Sequence, residues 1–315
     1  GGEVVTWGSE WSGGNSSSVR SELSASVTAV FSAYGAFAAL KQGGEVVTWG
    51  SEYCGGNSSS VRSELSANVT AVFSTGCAFA ALKQGGEVVT WGPGFSGGNS
   101  SSVRGDLSAN VTAVFSTGSA FAALKQGGEV VTWGDDMYGG DSSSVSSELS
   151  ANVTAVSSTG YAFAALKQGG EVVTWGGRNV GGDSSQVRVS SFYTKSVSSK
   201  LGENDTVHIV STNFAFAALK RGGEVVTWGS EWDGGDSSSV RSELSANVKA
   251  VFSSYGAFAA LKQGGEVVTW GDEGRGGDSS SVSSELSANV TAVFSTDSAF
   301  AALKHGGEVV TWGYE

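Results

Sequence analysis

A chain of 315 residues with 39% apolar and only 15% charged residues is not a disordered composition, and 48 glycines against the single proline Pro93 are not a helical one. Its net charge of −12 argues against a nucleic-acid surface, which needs clustered Lys and Arg; the lysines fall mostly one per repeat. No apolar run reaches the roughly 18 residues of a membrane span.

The octapeptide GGEVVTWG begins at Gly1, Gly43, Gly85, Gly127, Gly169, Gly222, Gly264 and Gly306 without a substitution, at intervals of 42, 42, 42, 42, 53, 42 and 42 residues. A fixed period of this size is the signature of a repeat architecture. Because the chain opens at Gly1 in mid-motif and without Met, it reads as a processed chain or a piece of a longer one.

Within the first repeat, Gly1-Gly2 is a turn and residues 3–7 are a strand, with Val4 and Thr6 on one side and Glu3, Val5 and Trp7 on the other. Residues 9–14 form a loop. The polar stretch 15–23 is either an irregular edge strand or one helical turn. Residues 27–31 (VTAVF) and 36–41 (AFAALK) are strands joined by a short turn. Apolar residues on both sides of such strands suit a small sheet sandwiched between two others.

The VTAVF-type strands begin at Val27, Val69, Val111, Val153, Val207, Val248 and Val290, which makes seven, whereas the tryptophan strand occurs eight times. The expected fold is an all-β, seven-bladed β-propeller, one domain over residues 1–315, with an open solenoid as the competitor. Repeats start at 1, 43, 85, 127, 169, 222 and 264, with a partial eighth copy at 306–315. Pairing of the N- and C-terminal segments is expected to close the ring, since closure removes exposed edges. Either Gly306–Gly313 or Gly1–Gly8 completes the last blade, leaving the other copy surplus.

The run FAALKQGGEVVTWGSEWSGG resembles the repeat of the regulator of chromosome condensation family, in a short-repeat variant, over essentially the whole chain. In that family a strand ending in small residues and leucine leads through a glycine turn to a Val-x-x-Trp-Gly strand and a Gly-rich loop. The resemblance implies a seven-bladed propeller. The tryptophan–aspartate repeat has a similar period, but its Trp-Asp ending and Gly-His pair are missing here. The founding member's exchange activity on a small GTPase is not carried over. Ala36-Phe37 and its equivalents stand where a histidine is usual before the AAL strand, and no basic arm is present. The chain is closer in economy to bacterial and algal members, including a propeller that inhibits β-lactamases through an aromatic loop face.

Differences among the repeats separate framework from candidate site. The tryptophans of the invariant strand, Trp7 to Trp312, are expected in the core. Variation concentrates in the loop after Trp-Gly and in the turn before AFAALK, and the antiparallel order places both windows at one end of the sheets, opposite the uniform Lys-Gln-Gly-Gly turns. The loop supplies Trp11, Tyr53, Phe95, Met137, Tyr138 and Trp232, with Asn179 and Gly274 at the same position in the remaining repeats. The turn supplies Tyr34, Tyr161, Phe214 and Tyr255. These rings beside Glu10, Glu52, Asp135, Asp136, Glu231 and Glu273 fit a protein-binding surface with an acidic rim. An insertion of 11 residues around 189–199, with Phe192, Tyr193 and Lys195, breaks the symmetry and offers a docking point.

No nucleophile–base set emerges, and His208 and His305 are the only histidines. The Gly-Gly-Asp/Asn-Ser-Ser-Ser segments lack the further carboxylates of a calcium loop and the lysine of a phosphate loop, so Asx turns explain them better. Neither a cofactor nor a metal is expected. Cys54 and Cys77, at non-equivalent positions, either bridge two loops of one blade or stay free, and free thiols are the expectation. The asparagine sequons are ascribed to Ser and Thr abundance. The function expected is a non-enzymatic protein-interaction propeller, a scaffold or a subunit of a larger assembly. A glycan- or small-ligand-binding propeller is the alternative, and an exchange factor-like regulator the weaker one.

Overall fold

The computed structural model describes residues 1–183 and 206–314. It contains seven three-stranded antiparallel sheets, each a meander in chain order, and few helical residues, consistent with a seven-bladed all-β propeller. Sheet 1 is Val27–Ser32, Ala36–Lys41 and Val46–Gly50; sheet 7 is Val290–Ser295, Ala299–Lys304 and Val309–Gly313. Each sheet therefore straddles the sequence repeat, taking its third strand from the next copy of GGEVVTWG. The last copy completes sheet 7, and the surplus copy is Gly1–Gly8, whose one bridge joins Gly2 to Val27.

The chain divides into two compact units, Gly1–Asn152 with sheets 1 to 3 and Val153–Glu315 with sheets 4 to 7. Inside each unit, successive sheets pack face to face. Ala78, Ala80, Leu82 and Val88 of sheet 2 meet Val111, Val114, Phe121, Ala123, Val131 and Trp133 of sheet 3, together with Leu107 of the helical turn before it. The pattern recurs between sheets 4 and 5, where Ala162, Ala164 and Val172 meet Ile209, Phe216 and Trp228. The small alanines of the central strand let one sheet approach the large Phe and Trp of the next. This explains why AFAALK carries three alanines among its large residues although both of its faces are buried.

The undecided stretch 15–23 is helical: a 3-10 turn at Ser17–Val19 followed by one α-turn at Arg20–Leu23 that buries Leu23. One strand start is corrected. The first strand of sheet 5 begins at Thr206, not Val207, because Thr206 pairs with Lys220 as Val153 pairs with Lys167, and Val207 is exposed. The valine there is thus out of phase, and the buried Thr206 hydroxyl has no hydrogen-bond partner among the described residues. The insertion around 189–199, with Phe192, Tyr193 and Lys195, lies outside the described residues.

Several sequons have a backbone origin rather than a compositional one. Asn68, Asn110, Asn152 and Asn289 precede the first strands with φ of 64–65°, in the left-handed region that asparagine tolerates best after glycine. Ser26 occupies the same position at φ 66°. Ser26→Asn is therefore expected to recover part of the roughly 1–2 kcal/mol that left-handed backbone costs an ordinary residue. The urea midpoint should rise; an unchanged or lower midpoint would refute the assignment.

Candidate functional site

The loop after each Trp-Gly folds into a helical turn closed by a left-handed glycine. In the first unit these turns are Glu10–Ser12, Glu52–Cys54, Gly94–Ser96 and Asp136–Tyr138, closed by Gly13, Gly55, Gly97 and Gly139. The closing glycine is the attachment point. At Gly97, φ is +89° and an added Cβ would lie 2.7 Å from the Phe121 ring, while its carbonyl accepts a 2.9 Å hydrogen bond from Trp133 Nε1. Trp49, Trp91, Trp228, Trp270 and Trp312 donate in the same way to Gly13, Gly55, Gly181, Gly234 and Gly276. Each invariant tryptophan also stacks on its own sheet's phenylalanine, as Trp133 does on Phe121 at 5.3 Å. The invariant residues thus clamp the variable loop onto the following sheet. Trp7 departs from the expected core placement: with no phenylalanine strand beside it, it is 84% exposed.

The central residue of these turns points outward. Trp11, Tyr53, Phe95, Met137 and Trp232 are between 70% and 86% exposed, whereas Tyr138 is half-buried. The acidic neighbours Glu10, Glu52, Asp136, Glu231 and Glu273 are exposed, and Asp135 is half-buried, its carboxylate accepting from the Met137 amide.

The second window lies at the same end, as the antiparallel order predicts. Ser51 N–H donates to Gly35 O, and the Thr75 and Thr117 hydroxyls donate to Ser96 O and Tyr138 O in the loops beside them. The turns themselves form ladders. In the first unit Tyr34 N–H donates to Gly76 O and Gly76 N–H to Gly118 O; in the second, Gly160 donates to Asn213, Asn213 to Tyr255 and Tyr255 to Asp297. Tyr34 is exposed. Tyr161, Phe214 and Tyr255 are not free rings but a packed row, with centroids 5.4 Å and 5.7 Å apart. At its end the Arg275 guanidinium lies 4.9 Å from the Tyr255 ring, and Arg275 Nη1 donates to Ser298 Oγ. Asn213 Nδ2 donates to the Tyr255 hydroxyl at 3.0 Å. Sequence reasoning did not single out Arg275 or Asn213, although both lie in the two variable windows.

The expectation of free thiols is wrong: Cys54 and Cys77 form a disulfide. It ties the loop after sheet 1 to the turn inside sheet 2, so it links two sheets and not two loops of one. The shared end of the two windows was the signal that could have found it, because the cysteines occupy one window each.

Burial pushes the Asp233 carboxyl above its usual range. A 2.6 Å hydrogen bond from the Ser230 hydroxyl opposes that shift, nearby Asp272 adds to it, and Arg275 works against it. The carboxyls of Asp141 and Asp278 are instead held low by the backbone N–H of Ser143 and Ser280, in Asx turns. Asn15, Asn57, Asn99 and Asp236 make the same turn, so these side chains are committed to local structure. A groove of about 390 Å³ beside Trp232, lined by Arg178, Asp236 and Arg241, has a counterpart of about 310 Å³ at the equivalent repeat position, lined by Glu22, Asn57 and Arg62. Recurrence marks it as a product of the repeat. At the opposite end the uniform turns carry Lys–Glu pairs such as Lys41–Glu45 at 3.0 Å and Lys125–Glu129 at 3.5 Å.

No family model matches this chain, and no curated protein does either. Solved structures of similar shape include RCC1 (Prp20p) of Saccharomyces cerevisiae, at 18% identity and TM-score 0.46 over 78% of this chain and 72% of that one. They also include the ectodomain of the Physcomitrella patens receptor kinase CR4, at 14% identity and TM-score 0.45 over 89% of this chain and 70% of that one. The Cps50 (Swd1) β-propeller domain of Myceliophteria_thermophila matches at 12% identity and TM-score 0.35, over 93% and 97%.

Proposed function

We propose that this chain is a non-enzymatic protein-interaction module of the regulator of chromosome condensation type, recognising its partner through the end that carries the post-Trp-Gly turns. One observation supports this most. Large apolar side chains stand at the exposed centres of turns closed by a left-handed glycine whose carbonyl accepts a hydrogen bond from the next sheet's tryptophan. Rigid exposed aromatics lose little conformational entropy on binding, and such anchors carry most of the energy of protein interfaces. The acidic residues flanking them suit a partner surface with basic groups around an apolar centre.

The test is affinity capture from the source cell, with Trp11→Ala/Tyr53→Ala/Phe95→Ala and Trp232→Ala as separate variants and Lys125→Ala as the control at the opposite end. Loss of one such anchor typically weakens an interface by about 30-fold or more. The proposal expects capture to drop for an aromatic variant and to persist for the control. Undiminished capture by both aromatic variants would sink it, and binding on a glycan array in place of any protein would replace it with a sugar-binding role.

A further inference from the structure

Asn68, Asn110, Asn152 and Asn289 each stand one residue before the first strand of a sheet and open the tripeptide Asn-Val-Thr. The left-handed backbone accounts for the asparagine and leaves the rest of the tripeptide unexplained. Thr70, Thr112, Thr154 and Thr291 donate their hydroxyls to leucine carbonyls of the central strands. That bond is dispensable, because Val207 and Lys249 occupy the same place in sheets 5 and 6. All four asparagines and all four threonines are exposed.

The main chain at these asparagines is engaged, as where Asn68 N–H donates to Gly43 O and Asn68 O accepts from Gln84 N–H. Their carboxamides hold no hydrogen bond among the described residues. Asn15, Asn57 and Asn99 also head sequons, but there the carboxamide oxygen accepts from the backbone N–H of Ser17, Ser59 and Ser101. Aspartate makes the same turn at Asp141, Asp236 and Asp278, so those loops need only the oxygen.

An independent observation concerns the compartment. Bridges such as Cys54–Cys77 form and persist in oxidising compartments and are rare where thiols are kept reduced. N-linked sugars belong to the same setting, and being bulky they need surface sites.

We infer that Asn68, Asn110, Asn152 and Asn289 carry N-linked oligosaccharides. The donor is an oligosaccharide on a polyprenyl pyrophosphate. The asparagine Nδ2 bonds to the anomeric carbon of the first sugar and gives up one proton. The bond from that carbon to the pyrophosphate oxygen breaks, and the pyrophosphate leaves with the electron pair. Asn68, Asn110 and Asn289 accept from Gln84, Gln126 and His305 in the uniform turn of their own sheets. Their sugars therefore stand opposite the post-Trp-Gly turns and leave the aromatic rings uncovered. The inference holds whether or not those rings bind a protein.

The experiment is intact mass and peptide mapping of the chain isolated from its source cell, before and after an amidase that releases N-glycans. The mass should fall on treatment, and the four asparagines should be recovered as aspartate. Asn247, exposed and with φ 65° but followed by Val248-Lys249, should be recovered unchanged. Thr70→Lys should lose the glycan at Asn68 alone; it copies the residue at 249, so it folds. Lys249→Thr should gain a glycan at Asn247. A mass equal to the bare polypeptide overturns the inference, as do sugars confined to Asn15, Asn57 and Asn99. Lys249→Thr with Asn247 still bare overturns it too, and so does alkylation of Cys54 and Cys77 without prior reduction.

Discussion

Replacing Trp133 by alanine is expected to lower the stability of the first unit by about 3–5 kcal/mol, the range for deleting a large buried aromatic. The side chain is 2% exposed, stacks on Phe121 and donates to Gly97 O, so three losses coincide. A cavity opens in the face between sheets 2 and 3, the Phe121 ring loses its partner, and the carbonyl that fixes the Phe95 loop loses its donor. Trp133→Phe separates these effects. It keeps most of the ring and removes the donor, which should cost about 1–3 kcal/mol, the penalty for a buried acceptor left unpaired. Urea denaturation followed by circular dichroism reads both variants. Equal midpoints for wild type and Trp133→Ala would show that the clamp holds nothing. Because neighbouring repeats stabilise one another, the loss should broaden the transition as well as shift it.

The second large effect is expected at the disulfide. Closing a loop over a sequence separation of 23 between Cys54 and Cys77 restricts the unfolded chain by about 3 kcal/mol on the chain-entropy account. Cys54→Ser/Cys77→Ser should lose that amount, and wild type treated with a reductant should unfold at the same midpoint as the double variant. The effect belongs to the first unit, because the bridge joins its first two sheets at the end that carries Tyr53. A reductant that moves the wild-type midpoint while leaving the double variant unmoved confirms the cause. No shift in either would remove the bridge from the account of stability.

Much of the architecture was legible in the residues. Strict recurrence of GGEVVTWG identified the sheet unit, alternation in VTAVF and AFAALK located the strands, and counting them yielded seven sheets. The antiparallel order also placed both variable windows at one end, as Ser51 bonding Gly35 and Cys54 bridging Cys77 show. These features are local, or follow from chain direction, and a periodic sequence states them directly.

What the tertiary structure decided depends on neighbours that one repeat cannot specify. Trp7 and Trp49 share the same octapeptide, yet one is exposed and the other buried, because only Trp49 has a phenylalanine strand beside it. Tyr161, Phe214 and Tyr255 looked like the rings of Trp11 and Tyr53, but the turn ladder brings them into contact and leaves the loop rings free. Thr206 took the place that Val207 claimed by pattern, since pairing with Lys220 and not hydrophobicity sets the strand's phase. By itself the sequence determined the sheet, its repeat and the end where variation gathers, because period and alternation are written along the chain. Which aromatic rings meet water, and that the two cysteines meet each other, was decided by the packing of one sheet on the next.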